Sequence, residues 1–221
     1  MHPMIDETAK RSKREWAVRF CLLLCGLCIG QLGVAFYVLS NQGSDPFTML
    51  LQGLSISVGL TIGTWQMLVQ IVLLIVFLLT TKSYIRPGTF VCVLGAGPLT
   101  DAWLWLLRDV LTADLPLSFR VILMILGTVT MSVGVSLIIK TDAGTGTNDL
   151  IAVVITDRLK RIQFRWVRIT VDATFAVLGI LLGAVFGIGT IAGTFLVGPV
   201  VQLFFPLWER VVRFCVTRSR R

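Results

Sequence analysis

The sequence predicts an all-α membrane protein with about six membrane-spanning helices, arranged as two inverted three-helix repeats that each carry a short re-entrant half-helix. Three observations lead there: composition, a set of long apolar runs, and repetition at a fixed offset. Of the 221 residues, 55% are hydrophobic and 14% charged, with a mean hydropathy of +0.85. Soluble domains carry about 25% charged residues, so a soluble globular chain is excluded. No loop is long enough for an extramembrane catalytic domain.

Crossing about 30 Å of hydrocarbon takes roughly 20 apolar residues, and six runs qualify, near 17–39, 65–81, 88–107, 119–139, 166–186 and 190–208. Residues 1–16 read as a basic cytoplasmic N-terminus, 17–108 as the first membrane repeat, 119–208 as the second, and 209–221 as a basic cytoplasmic tail. Lys10, Arg11, Lys13, Arg14 and Arg19 keep the first run's leading end inside. The bulky Leu24 before Cys25 and Leu27 before Cys28 argue against lipoprotein-type cleavage, so the run is read as a retained signal anchor. Cys21, Cys25 and Cys28 fall on one helical face. With His2 as the lone histidine and no zinc spacing, they read as a packed stripe, and no metal or cofactor is expected.

Two shorter segments follow glycine-rich openings, Ser44 to about Gly63 and Gly144 to about Asp157. With six spans, only Arg108 and Arg120 of the twenty basic residues fall outside. If both short segments also crossed, only Lys82, Arg86 and Lys140 would, so the positive-inside rule does not separate six spans from eight. The apolar run Leu150 to Ile155 is far too short to cross. Both segments therefore read as re-entrant half-helices, which survive at membrane depth only where they are buried in protein or line a cavity.

At an offset of 101 residues the chain matches itself without a gap. Arg19 falls on Arg120, Gly26 on Gly127, Gly33-Val34 on Gly134-Val135, Gly43 on Gly144, Trp65 on Trp166, Gly88-Thr89 on Gly189-Thr190 and Gly97-Pro98 on Gly198-Pro199. Three crossings per copy is an odd number, so the second copy sits upside down. Inverted repeats recur in secondary transporters, whose discontinuous helices meet at a midplane site.

The run Gly43-Ser44-Asp45-Pro46-Phe47-Thr48, with Gly53-Leu54-Ser55, Gly63-Thr64-Trp65, Gly88-Thr89, Gly189-Thr190 and Gly198-Pro199, resembles the YczE/YyaS/YitT family of bacterial integral membrane proteins. Thr145-Gly146-Thr147-Asn148-Asp149 is similar to the same pattern. The resemblance spans nearly the whole chain outside the basic tails. It implies a small multi-pass protein of the bacterial cytoplasmic membrane and carries over no catalytic residue.

Candidate substrate-binding residues cluster at the two half-helix openings: Ser44, Asp45, Thr48 and Gln52 in the first, Thr145, Thr147, Asn148 and Asp149 in the second. Two helix starts with free N–H groups suit an anionic or carboxylate solute; the competing reading is of ordinary capped loops. Asp101, inside the third span and opposite Gln202 in the repeat, either binds a proton or cation or caps the helix that restarts after Pro98. Asp172, four residues after Arg168, predicts an ion pair, and Gln31, Gln66 and Gln70 predict bonds between helices. The basic stretch Arg158 to Arg168 predicts an anchor for anionic lipid headgroups, and nucleic acid is not expected. Without a Walker loop, a nucleophile elbow or paired carboxylates, an enzyme is not expected either. The leading functional reading is a small-solute transporter or permease. The alternative is a non-catalytic accessory or assembly protein that binds a membrane partner. A homodimer is compatible with the chain's small size.

Overall fold

The computed structural model describes residues 12–111, 115–159 and 162–219. Among them the chain is helical without a strand: α1 (Lys13–Ser40), α2 (Pro46–Val58), α3 (Ile62–Thr80), α4 (Pro87–Leu107), α5 (Leu117–Thr141), α6 (Thr147–Leu159), α7 (Phe164–Leu181), α8 (Ile188–Phe195) and α9 (Val197–Ser219), with a 3-10 turn at Lys82–Tyr84. Local chemistry sets the ends. α1 stops at Asn41 (φ 51°) and α5 at Asp142 (φ 52°), two of the few side chains that tolerate the left-handed region. α2 starts on Asp45, whose Oδ2 accepts the Thr48 N–H at 3.2 Å, with Pro46 in the first turn.

Four helices, α1, α3, α4 and α5, are long and apolar enough to cross a membrane, and α8 with α9, bent by 46°, makes a fifth candidate. The run expected at 166–186 is an eighteen-residue helix, α7, that holds Arg165, Arg168 and Asp172 and ends at Leu181; its three charges set it apart from the four apolar helices. α2 and α6 have 13 residues each, about 20 Å at 1.5 Å per residue, too short to cross. Val72, Leu79 and Leu203 point outward with most of their surface exposed, an arrangement that suits hydrocarbon. This is a membrane protein.

α1 and α5 form the centre and run antiparallel: Gly26 faces Ile138, Gly30 faces Gly134, Gly33 faces Met131, and the Tyr37 hydroxyl meets Thr128 Oγ1 at 2.6 Å. A Cβ on Gly134 would stand 2.5 Å from the Gly26 carbonyl oxygen, so close approach requires glycine there. α4 runs parallel to α1, with Gly88 at Leu23 and Gly95 at Leu27. α3 returns antiparallel beside α4, and α9 lies parallel to α5, joined by Lys140 and Glu209 at 3.0 Å. α2 runs parallel to α7 through Phe47–Phe175, Met49–Gly179 and Gly53–Leu182. α6 runs parallel to α3, from Thr147 at Gln70 to Arg158 at Thr80.

Several contacts are reciprocal at the offset of 101. Gly88 N–H donates to the Ala143 carbonyl at 2.9 Å, and Gly189 N–H donates to the Gln42 carbonyl at 2.8 Å. Gly26 faces Gly134 while Gly127 faces Gly33. The starts of α2 and α6, and of α4 and α8, are also 101 residues apart.

Two expectations are corrected. Cys21 and Cys25 are exposed, because the face of α1 that packs bears Gly26, Gly30 and Gly33, about 140° around the helix from the cysteines. α4 continues through Pro98, so the restart expected there does not occur; the break falls in the second half, at Leu196 between α8 and α9.

Candidate functional site

α2 presents its start to the protein interior. Ser44 and Thr48 are almost fully buried and Asp45 is 8% exposed. Asp45 spends Oδ2 on the helix it caps, while its Oδ1 and the Ser44 hydroxyl are buried without a partner. Each such atom costs about 1–3 kcal/mol. At the start of α6, Thr147 is fully buried and donates to the Gln70 carbonyl at 3.2 Å, and the Gln70 side-chain Oε1 is again buried and unpartnered. Two indole N–H groups, Trp65 and Trp208, share that condition away from the half-helix starts. Gln52, Thr145, Asn148 and Asp149 are half-buried.

α7 is the common support of both half-helices, and Arg168 is its central side chain. The guanidinium donates through Nη1 to Asp149 Oδ1 at 3.1 Å and through Nε to Asp172 Oδ2 at 2.9 Å. Asp45 is within electrostatic reach of Arg168 and Asp149, and Asp172 in turn feels Asp45. One guanidinium thus pairs with two carboxylates, from α6 and α7, with the Asp45 carboxylate at the start of α2 near but unpaired. Sequence reasoning found the Arg168–Asp172 pair from its spacing of four. It singled out Asp149 as a candidate but had no signal for its bond to Arg168, nineteen residues away, or for the orphaned Gln70 oxygen.

Asp101 lies elsewhere. Its carboxylate accepts from Gly63 N–H at 2.8 Å and from the Thr61 hydroxyl at 2.6 Å, and so caps α3. The expected cap on its own helix has nothing to bind, since α4 has no restart at Pro98. Gln202, its partner at the repeat offset, is exposed. Gln31 and Gln66 do bond between helices, at 3.2 Å, and Thr100 joins them at 2.6 and 2.7 Å.

In the basic stretch, Lys160 and Arg161 lie outside the described residues. Arg165 stacks over Trp166 at 5.4 Å, Arg158 donates to the Thr80 carbonyl, and Arg168 is committed to carboxylates. Arg168 is therefore removed from the expected lipid anchor. The hydroxyl of Tyr84, in the 3-10 turn, donates to Asp157 of α6, a bond that holds the phenol above its ordinary range. Among the described residues no group of histidine, cysteine and carboxylates gathers closely enough to hold a metal ion.

A family of unknown function, DUF6198, matches residues 17–206. The chain belongs to this family. Among its relatives, the uncharacterized protein YyaS of Bacillus subtilis is 33% identical over 187 residues, covering 84% of this chain and 91% of the relative. An uncharacterized protein of Haemophilus influenzae is 27% identical over 211 residues, 94% of each chain. The uncharacterized membrane protein YczE of Bacillus subtilis is 23% identical over 207 residues, 93% of this chain and 94% of the relative. The sequence-based resemblance to YyaS and YczE is thereby established, and the DUF6198 match includes all of the helices that carry the site. No solved structure matches the chain.

Proposed function

We propose that this DUF6198 protein is a small-solute transporter of the bacterial cytoplasmic membrane, with its site at the starts of α2 and α6 around Arg168. The observation that carries this reading is the pair of buried half-helix starts, each beside acceptor oxygens with no partner in the protein. Polar groups are expensive at membrane depth, and such expense persists where a ligand supplies the missing bond.

The architecture proposed with it is two inverted repeats of three spans. The offset of 101 residues and the reciprocal contacts of Gly88 and Gly189 support the duplication. The antiparallel packing of α1 on α5 supports the inversion: equivalent spans that run in opposite directions need an even number of crossings between them. α3 and α4 supply two, and α2 turns back. The same arithmetic favours six crossings over eight, with α7 and the bent α8–α9 pair as the last two and both termini in the cytoplasm. The weighting of basic residues agrees. In this reading Arg168 and Asp172 are tolerated on α7 because they face protein partners, while Arg165 sits in its first turn. No residue is assigned a catalytic role.

The test is uptake or counterflow of a panel of small solutes by the purified chain in liposomes, with Asp45→Asn beside it. Transport of at least one solute class above empty liposomes, reduced tenfold or more by the substitution, is the expected result. The accessory-protein reading draws on one observation, the near-complete burial of Ser44, Thr48 and Thr147. A transporter exposes those positions in turn, so single cysteines at Ser44 and Thr147 that never react from either side of the membrane, together with no uptake, give the accessory reading the lead.

A further inference from the structure

We propose that the α2 start binds a small monovalent cation, an alkali ion or the ammonium group of an amine, through Asp45 Oδ1 and Ser44 Oγ. Movement of that cation rests on the transporter reading above; its binding does not.

The argument begins with the helix ends. A free helix start attracts an anion, but here each half-helix start already has the protein's own carboxylate. Asp45 takes the Thr48 N–H, and Asp149 occupies the first turn of α6. An anionic solute would face those carboxylates, so the anion preference read from the sequence reverses.

Next come the charges around Asp45. α7 brings Arg168 and Asp172, α6 brings Asp149, and α1 brings the neutral Tyr37. α8 brings its backbone, since a Cβ on Gly193 would stand 2.9 Å from Asp45 Cα. Arg168 is the cation of this set, and its hydrogen bonds go to Asp149 and Asp172. Asp45 is left as the acidic group without a matched base. Its open atom accepts and does not donate when ionised, and the neighbouring Ser44 Oγ offers a second oxygen. Both residues are more than nine-tenths buried, so a ligand bound there is dehydrated. Calcium takes about six to eight oxygen ligands, carboxylates prominent among them, and the described residues gather no group of three or more acidic, histidine or cysteine side chains that could hold a metal ion.

The full-length chain in detergent provides the test, as its thermal unfolding midpoint in sodium, potassium or methylammonium chloride against choline chloride at equal ionic strength. At ten times the dissociation constant at least one small cation raises the midpoint by about 3 °C. Asp45→Asn abolishes the rise and Ser44→Ala reduces it. Asparagine caps helices as well as aspartate does, so the first variant folds; Asp157→Asn, far from the site, keeps the full response. No rise with any small cation, a rise that survives in Asp45→Asn, or a rise produced instead by choline acetate or phosphate overturns the proposal. A cation response without uptake in liposomes keeps the site and removes transport. Uptake of a solute without a cation response keeps transport and removes the cation site.

Discussion

Gly134 shows how much one missing side chain contributes. A Cβ there meets backbone of α1 at 2.5 Å, which no rotamer change can relieve, whereas one on Gly198 meets nothing within 4 Å. Gly134→Ala is expected to destabilise the protein by about 1–3 kcal/mol, the usual cost of overpacking, while Gly198→Ala leaves thermal unfolding in detergent unchanged. Thr100 is a second single-residue test, because its hydroxyl contacts both Gln31 Oε1 and Gln66 Oε1. Thr100→Val removes the one proton that hydroxyl has to give; Gln31 Oε1 keeps the Gln66 Nε2 donor, Gln66 Oε1 loses the Thr100 hydroxyl, and the change is expected to cost about 1–3 kcal/mol. Recovery of stability when Gln31 and Gln66 are also made apolar would show that the loss came from orphaned groups rather than from shape. The orphaned Asp45 and Ser44 oxygens belong to the same physics, with a ligand in place of the missing side chain.

At the scale of elements, the half-helices owe their position to what they lean on. α2 rests on α7 through Gly53, where a Cβ would stand 2.8 Å from the Gly179 carbonyl oxygen, and α6 is tied to α7 by the Asp149–Arg168 pair. That pair is about 40% exposed on each side, so its share of stability is small, about 1 kcal/mol. Arg168→Gln also removes the partner of Asp172, whose side chain is 13% exposed, so it is expected to lower the unfolding midpoint as well as to impair solute handling, measured by a thermal scan beside liposome uptake. Helix direction predicts labelling as well. With native cysteines removed, a single cysteine at Ser83, between α3 and α4, reacts with an impermeant reagent from the cytoplasmic side, and cysteines at Ser57 and Ser118 react from the opposite side. Ser83 and Ser57 labelled from one side would remove the inverted arrangement. Thr112, in the loop where sequence reasoning would also place a probe, lies outside the described residues.

Across the whole molecule, the two halves lock by exchange: the loop after α1 receives Gly189, and the loop after α5 receives Gly88. A Cβ at Gly88 would stand 2.7 Å from the Ala143 carbonyl oxygen and one at Gly189 2.9 Å from that of Gln42. Gly88→Ala and Gly189→Ala are thus expected to lower the unfolding midpoint by similar amounts. A large drop for one and none for the other would mean that the two joints are not equivalent. The joints differ in one respect, since Arg86 pairs with Asp142 beside the first, while Gly187 and Asn41 occupy the matching places in the second.

Much of this was legible in the chain. Membrane residence follows from composition, because a sequence this poor in charge has no other solvent that suits it. The half-helix at Pro46 follows from local chemistry, because aspartate before proline both caps and starts a helix. The i,i+4 pair of Arg168 and Asp172 follows from helical spacing alone. What lay beyond it depends on residues far apart in sequence. Which face of α1 packs was decided by backbone approach to α5, so the glycines turned inward and the cysteines outward. Asp101 was drawn to α3 because Gly63 and Thr61 offer donors across forty residues of chain. Arg168 pairs with Asp149 as well as Asp172, and Asp45 lies near them unpaired, only because α2 and α6 both come to rest on α7. The sequence by itself determined the solvent and the helix starts and ends set within one turn, such as Asp45 before Pro46, since these depend on near neighbours or on totals over the chain; only the tertiary structure decided which charges meet, that Asp101 caps α3, and which oxygens are left without a partner, since those depend on distances that folding creates.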